Sequence, residues 1–226
     1  MWKRKKIRCL GTGLSMILTM FLLSGCAIIS LDDGRLVYGG KQIEGAEDAP
    51  VFGEEFDPDV YVQSIWEEEA LPTFEESAND FLTVQEAISQ DFEQACEEYG
   101  ILSNDKGSWV FVVEGSGTVK EVNRDSRSGF AIVEIDSHPT KLQVGPVYKG
   151  ASLRDSLPFI QFNDFKNQIA FSEVSSALNR MVDTNIVAQS GIDEGTGKEA
   201  TFTGAFSIKN AEEEIMIIPV ILEMGR

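Results

Sequence analysis

Apolar positions fall into three textures along this chain. An apolar run with two glycines, Leu10–Leu23, follows a basic stub at Met1–Arg8. Between residues 57 and 100 apolar residues recur at helical spacing among acidic ones. From Trp109 onward the chain reads as short β-branched and aromatic runs divided by turn residues.

The middle texture predicts four short helices between about Pro58 and Tyr99. Asp57 before Pro58 matches an N-cap followed by proline at the first helical position. Val60, Ile65 and Trp66 share a face, and Pro72 is expected to end that run. Thr73 with Glu76, and Thr83 with Glu86, have the spacing of capping boxes. Asp91 opens the last helix, with Phe92, Ala95, Cys96 and Tyr99 as its stripe and Gly100 as its stop.

The third texture predicts strands over Trp109–Val122, Phe130–Ile135 and Lys141–Val147. Turns are expected at Asn123–Gly129 and at His138-Pro139. Asn163–Val182 reads as a helix with Phe165, Ile169, Val174, Leu178 and Met181 on one stripe and a break at Phe171-Ser172. A Gly/Asp loop, Ile192–Lys198, leads to strands Thr201–Ile208 and Ile215–Met224 around the hairpin segment Lys209–Glu214. The order β-β-β-α-β-β matches the OB-fold, a five-stranded Greek-key barrel. The fold class is therefore α+β, short helices followed by an OB-like barrel. Gly115 and Gly117 sit in the first strand, where such a barrel must bend.

The N-terminal texture is an address. Leu10–Leu23 is too short for a transmembrane helix, which needs roughly 20 residues. Basic stub, short apolar core and small residues make a secretory signal. It ends in Leu23-Ser24-Gly25-Cys26, which resembles the bacterial lipobox, so Cys26 is the expected lipidation site. Acyl chains on that residue would anchor the protein to a membrane, and two or more are needed for stable anchoring. Ala27, rather than Asp, favours the outer membrane if the cell has one. The expected organisation is a signal peptide at 1–25, lipidated Cys and tether at 26–53, a helical region at 54–104 and the barrel at 105–226. One short strand is expected in the tether at Arg35–Tyr38.

Charge and rare residues narrow the function. The chain carries 19 basic and 37 acidic residues, a net −18, and all five basic residues of 1–25 lie in the signal. The rest is at −23, which repels phosphate backbones and excludes general nucleic-acid binding. From Gln42 to Asp105 there are 19 acids and no Lys or Arg. That reads as a solvated helical face; calcium is the alternative, but no EF-hand loop is present. Cys96 is the one cysteine left after Cys9 leaves with the signal and Cys26 is lipidated, so no internal disulfide is expected. His138 is the only histidine, which argues against a Ser-His-Asp triad or a Cys/His zinc site. No phosphate-cradling loop or dinucleotide fingerprint is present, and no cofactor is expected.

Several segments together resemble a known family. Phe56-Asp57, Tyr61-Val62 and Ser64-Ile65-Trp66 are similar to the first helix of the predicted periplasmic lipoproteins called domain of unknown function 2291. The resemblance continues in Tyr99-Gly100 and Gly115-Ser116-Gly117-Thr118-Val119. It is densest from Val144-Gly145-Pro146-Val147-Tyr148-Lys149-Gly150 through Leu153-Arg154-Asp155-Ser156-Leu157 to Asn163-Asp164-Phe165-Lys166-Asn167-Gln168. It closes in Phe202-Thr203-Gly204-Ala205-Phe206 and Ile218-Pro219-Val220. The resemblance implies a secreted, lipid-anchored protein. Genes of that family often accompany sugar uptake transporters of the ATP-binding-cassette type, which implies an accessory role there.

Candidate ligand residues cluster in the densest block. Arg154 could clamp a carboxylate, a phosphate or sugar hydroxyls, or pair structurally with Asp155. Asn163 is an N-cap candidate, while Asn167 and Gln168 can both donate to and accept from sugar hydroxyls. Trp66, Trp109, Tyr148 and Phe162 are candidate aromatic platforms, or core. Glu114, Glu134 and Asp136 lie on or beside strands, but nothing marks a catalytic pair. The expected function is a non-enzymatic accessory protein contacting a transporter component. The alternative is a binding module for a sugar or related metabolite on the Gly145–Gln168 segment.

Overall fold

The computed structural model describes residues 29–32, 35–38, 41–42, 56–103 and 107–225. Cys26, its lipobox and most of the expected tether lie outside the described residues. The chain divides into two units, 1–49 and 50–226. In the first, Arg35–Tyr38 is a strand, paired antiparallel with Ile29–Asp32 and with Lys41–Gln42.

The second unit is built on a closed five-stranded barrel, and its strand order is that of the OB-fold. Its strands are β1 (Trp109–Asn123), β2 (Ser128–Ile135), β3 (His138–Pro146), β4 (Glu199–Ile208) and β5 (Met216–Met224). They close in the order β1-β2-β3-β5-β4 and back to β1. Every pairing is antiparallel except β3 with β5, which is parallel and short, at Met216↔Lys141 and Ile217↔Leu142. Gln143 reinforces that seam: its amide nitrogen donates to the Met216 carbonyl at 3.1 Å.

Strand β1 turns the barrel corner. Residues Trp109–Thr118 pair with β4, while Thr118–Asn123 pair with β2, so Thr118 serves both neighbours. The strand can make this switch because Gly117 has no side chain. A Cβ there would lie 2.3 Å from the Glu134 carbonyl oxygen. Inside, Val133, Leu142, Val144 and Phe202 are fully buried, and Phe111 stacks on Phe206 at 5.3 Å between ring centres.

The β2–β3 turn is not at His138-Pro139. It is Asp136-Ser137, both with positive φ, 45° and 71°. Two such residues form the primed turn that suits the strand twist. His138 is already the first residue of β3, opposite Ile135.

The helices are α1 (Pro58–Ile65), α2 (Leu71–Ser77), α3 (Phe81–Gln90) and α4 (Phe92–Tyr99). Asp57 caps α1, accepting from the Asp59 and Val60 amides. Asp91 caps α4. Pro72 does not end a helix: α1 passes through a π-helical turn, Trp66–Ala70, straight into α2, where Pro72 occupies the first turn. Thr73 lies inside that continuous helix and donates to the Glu69 carbonyl, so it caps nothing. Asp80, not Thr83, caps α3, and it accepts from both the amide and the hydroxyl of Thr83. Gly100 does stop α4, but in an extended conformation; a Cβ would meet the Cys96 carbonyl oxygen at 2.6 Å.

Phe74, Phe81, Val84, Ile88, Ala95 and Cys96 from these helices share one buried core with the barrel. Burial, helped by Glu93, pushes the Cys96 thiol up to about 11. Helix α1 packs against the later helix Gln168–Met181. Between β3 and β4 lie α5 (Ser152–Asp155) and α6 (Gln168–Met181), the latter running on through a second π-helical turn, Val182–Val187, to α7 (Ala188–Ser190). The expected break at Phe171-Ser172 is absent, and Ile169 is 69% exposed rather than on the buried stripe. No helix among the described residues is long and apolar enough to cross a membrane.

Candidate functional site

The β3–β4 connection builds a cleft against α6, and its sequence explains each support. At the end of β3, Gly145 takes φ 69°, a left-handed conformation that favours glycine. A Cβ there would sit 2.4 Å from Asp183 and 2.6 Å from the Tyr148 ring. That space is taken because the Tyr148 hydroxyl donates to Asp183 Oδ1 at 3.1 Å, reaching the π-helical turn after α6. Burial, and then the Asp183 carboxylate, push the Tyr148 phenol well above its ordinary range. Arg124 adds a second brace, donating to the Val144 carbonyl and pairing with Asp193 at 2.7 Å. The strand exit is thus held by two braces before α5 begins.

Helix α5 carries Arg154 and Asp155, both buried despite their charge. Arg154 donates through Nε and Nη2 to Asp155 Oδ1, at 2.8 and 2.6 Å. Its Nη1 reaches the Phe171 carbonyl at 3.5 Å, and its guanidinium lies 3.8 Å above the Phe171 ring. Asp155 Oδ2 accepts from Ser103 Oγ at 2.5 Å, which links the site to the segment between α4 and β1. Buried charges persist only when paired and hydrogen-bonded, and here both conditions are met.

Aromatic rings extend this frame. Phe162 meets Phe171 edge-on at 5.5 Å, Phe171 meets Phe165 at 5.6 Å, and Phe165 packs against both Phe56 and Tyr61. The motif around α1 and the block after β3, distant in sequence, therefore meet in one cluster. Burial, with Asp164 and Glu69 nearby, raises the Tyr61 phenol.

Between this frame and α6 opens a cleft of about 480 Å³. Arg154, Phe171 and Tyr148 form part of its wall, and Phe162, 47% exposed, stands over it. The remainder is uncharged: the polar Gln168, Ser172, Ser175, Ser176 and Asn179, with Gly150 and Ala151. Such a lining gives and accepts hydrogen bonds without offering an unpaired charge. Among the described residues no group of His, Cys, Asp and Glu could hold a metal ion.

Of the residues singled out in the sequence, Arg154, Gln168, Tyr148 and Phe162 line this cleft. Asp155 and Asn163 instead line a neighbouring hollow with Leu102 and Phe162. Asn163 is not a helix cap; it lies within a single 3-10 turn, Phe162–Asp164. Asn167 is the cap of α6, its side chain accepting from the Ala170 amide at 3.0 Å, so its side-chain oxygen is already engaged. Trp66 is no platform: it lies in the π-helical turn, 3% exposed, in the core. Trp109 belongs to β1, packed against the core. The α6 serines and Asn179 escaped sequence reasoning. Ser172, Ser176 and Asn179 recur at helical spacing opposite the buried stripe, which is the signal that was there to find.

A family model of predicted periplasmic lipoproteins, DUF2291, matches residues 16–223. The chain belongs to that family. Its description places these proteins outside the cytoplasm, in association with the cell envelope. No curated protein matches the chain significantly. Among solved structures it is similar to an OB-fold protein from Thermotoga maritima, determined by crystallography at 1.90 Å. That likeness has 18% identity and a TM-score of 0.62, and covers 76% of this chain and all of the other. At that identity it speaks for the fold alone.

Proposed function

We propose that this family member is a non-enzymatic binding module, anchored outside the cytoplasm through acyl chains on Cys26, that takes a sugar or related metabolite in the α6 cleft. One observation carries the reading. An exposed phenyl face, Phe162, and neutral hydrogen-bonding groups at Gln168, Ser172, Ser176 and Asn179 converge on one cleft. Its volume lies within the roughly 300–1,000 Å³ of small-molecule sites. If the cell has an outer membrane, Ala27 favours anchorage there, and work beside a sugar transporter of the ATP-binding-cassette type fits a membrane-bound sugar binder.

Thermal melting of the full chain against pentoses and hexoses tests this reading, in a detergent without a sugar head group. At a hundredfold excess over Kd a ligand adds about 2.7 kcal/mol. For a body of this size that is a rise of roughly 5–10 °C. Phe162→Ala is expected to lose the rise, at a cost of about 1 kcal/mol to the free protein from the lost edge-on contact with Phe171. No saturable rise with any sugar would overturn the reading. A second reading, direct contact with a transporter component, draws support from Leu102. It is 67% exposed beside Phe162, an apolar pair at one hollow. Site-specific cross-linking from Leu102 in membranes would test it.

A further inference from the structure

We propose that Ser175 is the deepest ligand contact of the α6 cleft, and that the cleft selects uncharged polyols over phosphorylated or carboxylated ones. This rests on the small-molecule reading above. Ser175 is 8% exposed, lines the cleft, and its hydroxyl has no hydrogen-bond partner. A helical serine ordinarily satisfies itself by donating to the carbonyl four residues earlier. That carbonyl belongs to Phe171, and Arg154 Nη1 already reaches it at 3.5 Å. The α6 backbone amide of Ser175 takes the same oxygen. The hydroxyl, with almost no exposed surface of its own, is thus left as an unmet donor and acceptor behind the cleft wall, and turning it toward the cleft would let a ligand hydroxyl satisfy it.

The selectivity follows from the same arrangement. Arg154 is the only cation lining the cleft among the described residues, and two of its donors are spent on Asp155. Its face is covered by the Phe171 ring. An incoming phosphate or carboxylate would lose its hydration and gain no free positive charge.

The experiment uses the full chain with D-ribose, D-xylose, D-galactose and myo-inositol as neutral probes. D-ribose 5-phosphate and D-galacturonate are the charged counterparts. At least one neutral probe is expected to bind, and its charged counterpart to bind at least tenfold more weakly. Ser175→Ala removes a buried group that is unpaired without ligand. It is therefore expected to leave the melting temperature of the free protein unchanged or raised, and to weaken the neutral probe about tenfold. Thr140→Val is the control: Thr140 is the other unpartnered buried hydroxyl among the described residues, and it lines a different cleft. It should leave probe affinity unchanged. A charged counterpart bound equally well would overturn the selectivity. Unchanged probe affinity in Ser175→Ala, or a lower melting temperature of the free variant, would overturn the contact and mark a structural hydroxyl. If no probe of either class moves the wild-type melting curve, the small-molecule reading itself falls, and this inference with it.

Discussion

Two clefts of about 480 Å³ open on the second unit, one against α6 and one between α3, the start of β3 and the β4–β5 loop. Each contains an Arg or Lys paired with an acid and one unpartnered hydroxyl. They differ in where the charge sits. In the α6 cleft the Arg154–Asp155 pair is buried, with side chains 7% and 1% exposed. In the α3 cleft the Lys141–Glu214 pair is in solvent, 32% and 61% exposed. Volume therefore does not separate the two; burial of the charge does. A buried, fully bonded pair is a rigid scaffold that leaves the other cleft groups neutral and oriented, whereas an exposed pair is mobile and screened by salt.

The sharpest way to break this comparison is to remove the cation from each pair. Arg154→Met keeps bulk but removes the guanidinium bonded to Oδ1 of the buried Asp155. A loss of about 3–5 kcal/mol is expected. That corresponds to a fall of roughly 6–20 °C in melting temperature. Urea unfolding followed by circular dichroism measures it. A loss under about 1 kcal/mol would mean that the pair is solvated in solution and that the two clefts are alike. The same reasoning changes what Arg154 can report: its substitution tests the fold, so Phe162 and Ser175 are the residues through which binding is tested.

The next perturbation acts on the frame alone. Gly145→Ala must adopt a positive φ and push against Asp183 and Tyr148. About 2 kcal/mol or more of stability is expected to be lost. Local hydrogen exchange should rise at the end of β3 and around Val182–Val187 before it rises at the α3 cleft. Equal loosening at both clefts would show that the strand exit is not a local support of the α6 side.

What could be read from the sequence follows the range of the interactions involved. Asp57, Asp91 and the five strands were legible because caps and period-two patterns act within a few residues. The Thr73 and Thr83 caps failed because spacing alone does not show which side chain already has a partner: Asp80 lies three residues before Thr83 and takes its amide first. Pro72 misled because a π-helical turn lets a helix absorb a proline that spacing reads as a stop. Arg154 and Gln168 were found through unusual residue types in one block. Ser175 was invisible, since its state is set by Arg154 competing for the Phe171 carbonyl, a contact across 17 residues. Trp66 looked like a platform because tryptophan chemistry carries no information on which way the helix turns it.

A smaller effect comes from Tyr148, which touches the α6 cleft and not the other. Tyr148→Phe removes the hydrogen bond to Asp183 and should cost about 1 kcal/mol at neutral pH. The pH dependence carries its own sign. Burial and Asp183 raise the phenol in the folded state, so folding favours the protonated form. The wild type should therefore lose stability as pH rises above the ordinary tyrosine value near 10, where the unfolded chain begins to release this proton. Tyr148→Phe should show a shallower fall between pH 9 and 11 in the urea midpoint. A parallel fall in both proteins would place the alkaline slope elsewhere.

The smallest effect is expected at the exposed pair, and its smallness is what the comparison requires. Lys141 also lies 4.7 Å over the Phe130 ring, so its stem and charge retain a contact when Glu214 moves away. Lys141→Met preserves much of that apolar packing and removes an ion pair whose carboxylate is mostly in water. The cost should be under about 1 kcal/mol. It should shrink further between 0.05 and 0.5 M salt, where screening falls from well over 10 Å toward a few ångströms. The Arg154→Met loss should hardly move over the same range, because its partner charge is out of reach of mobile ions. Measuring both variants at two salt concentrations thus separates a scaffold charge from a surface charge within one protein. Two losses with the same salt dependence would show that burial of the charge does not distinguish the α6 cleft from the α3 cleft.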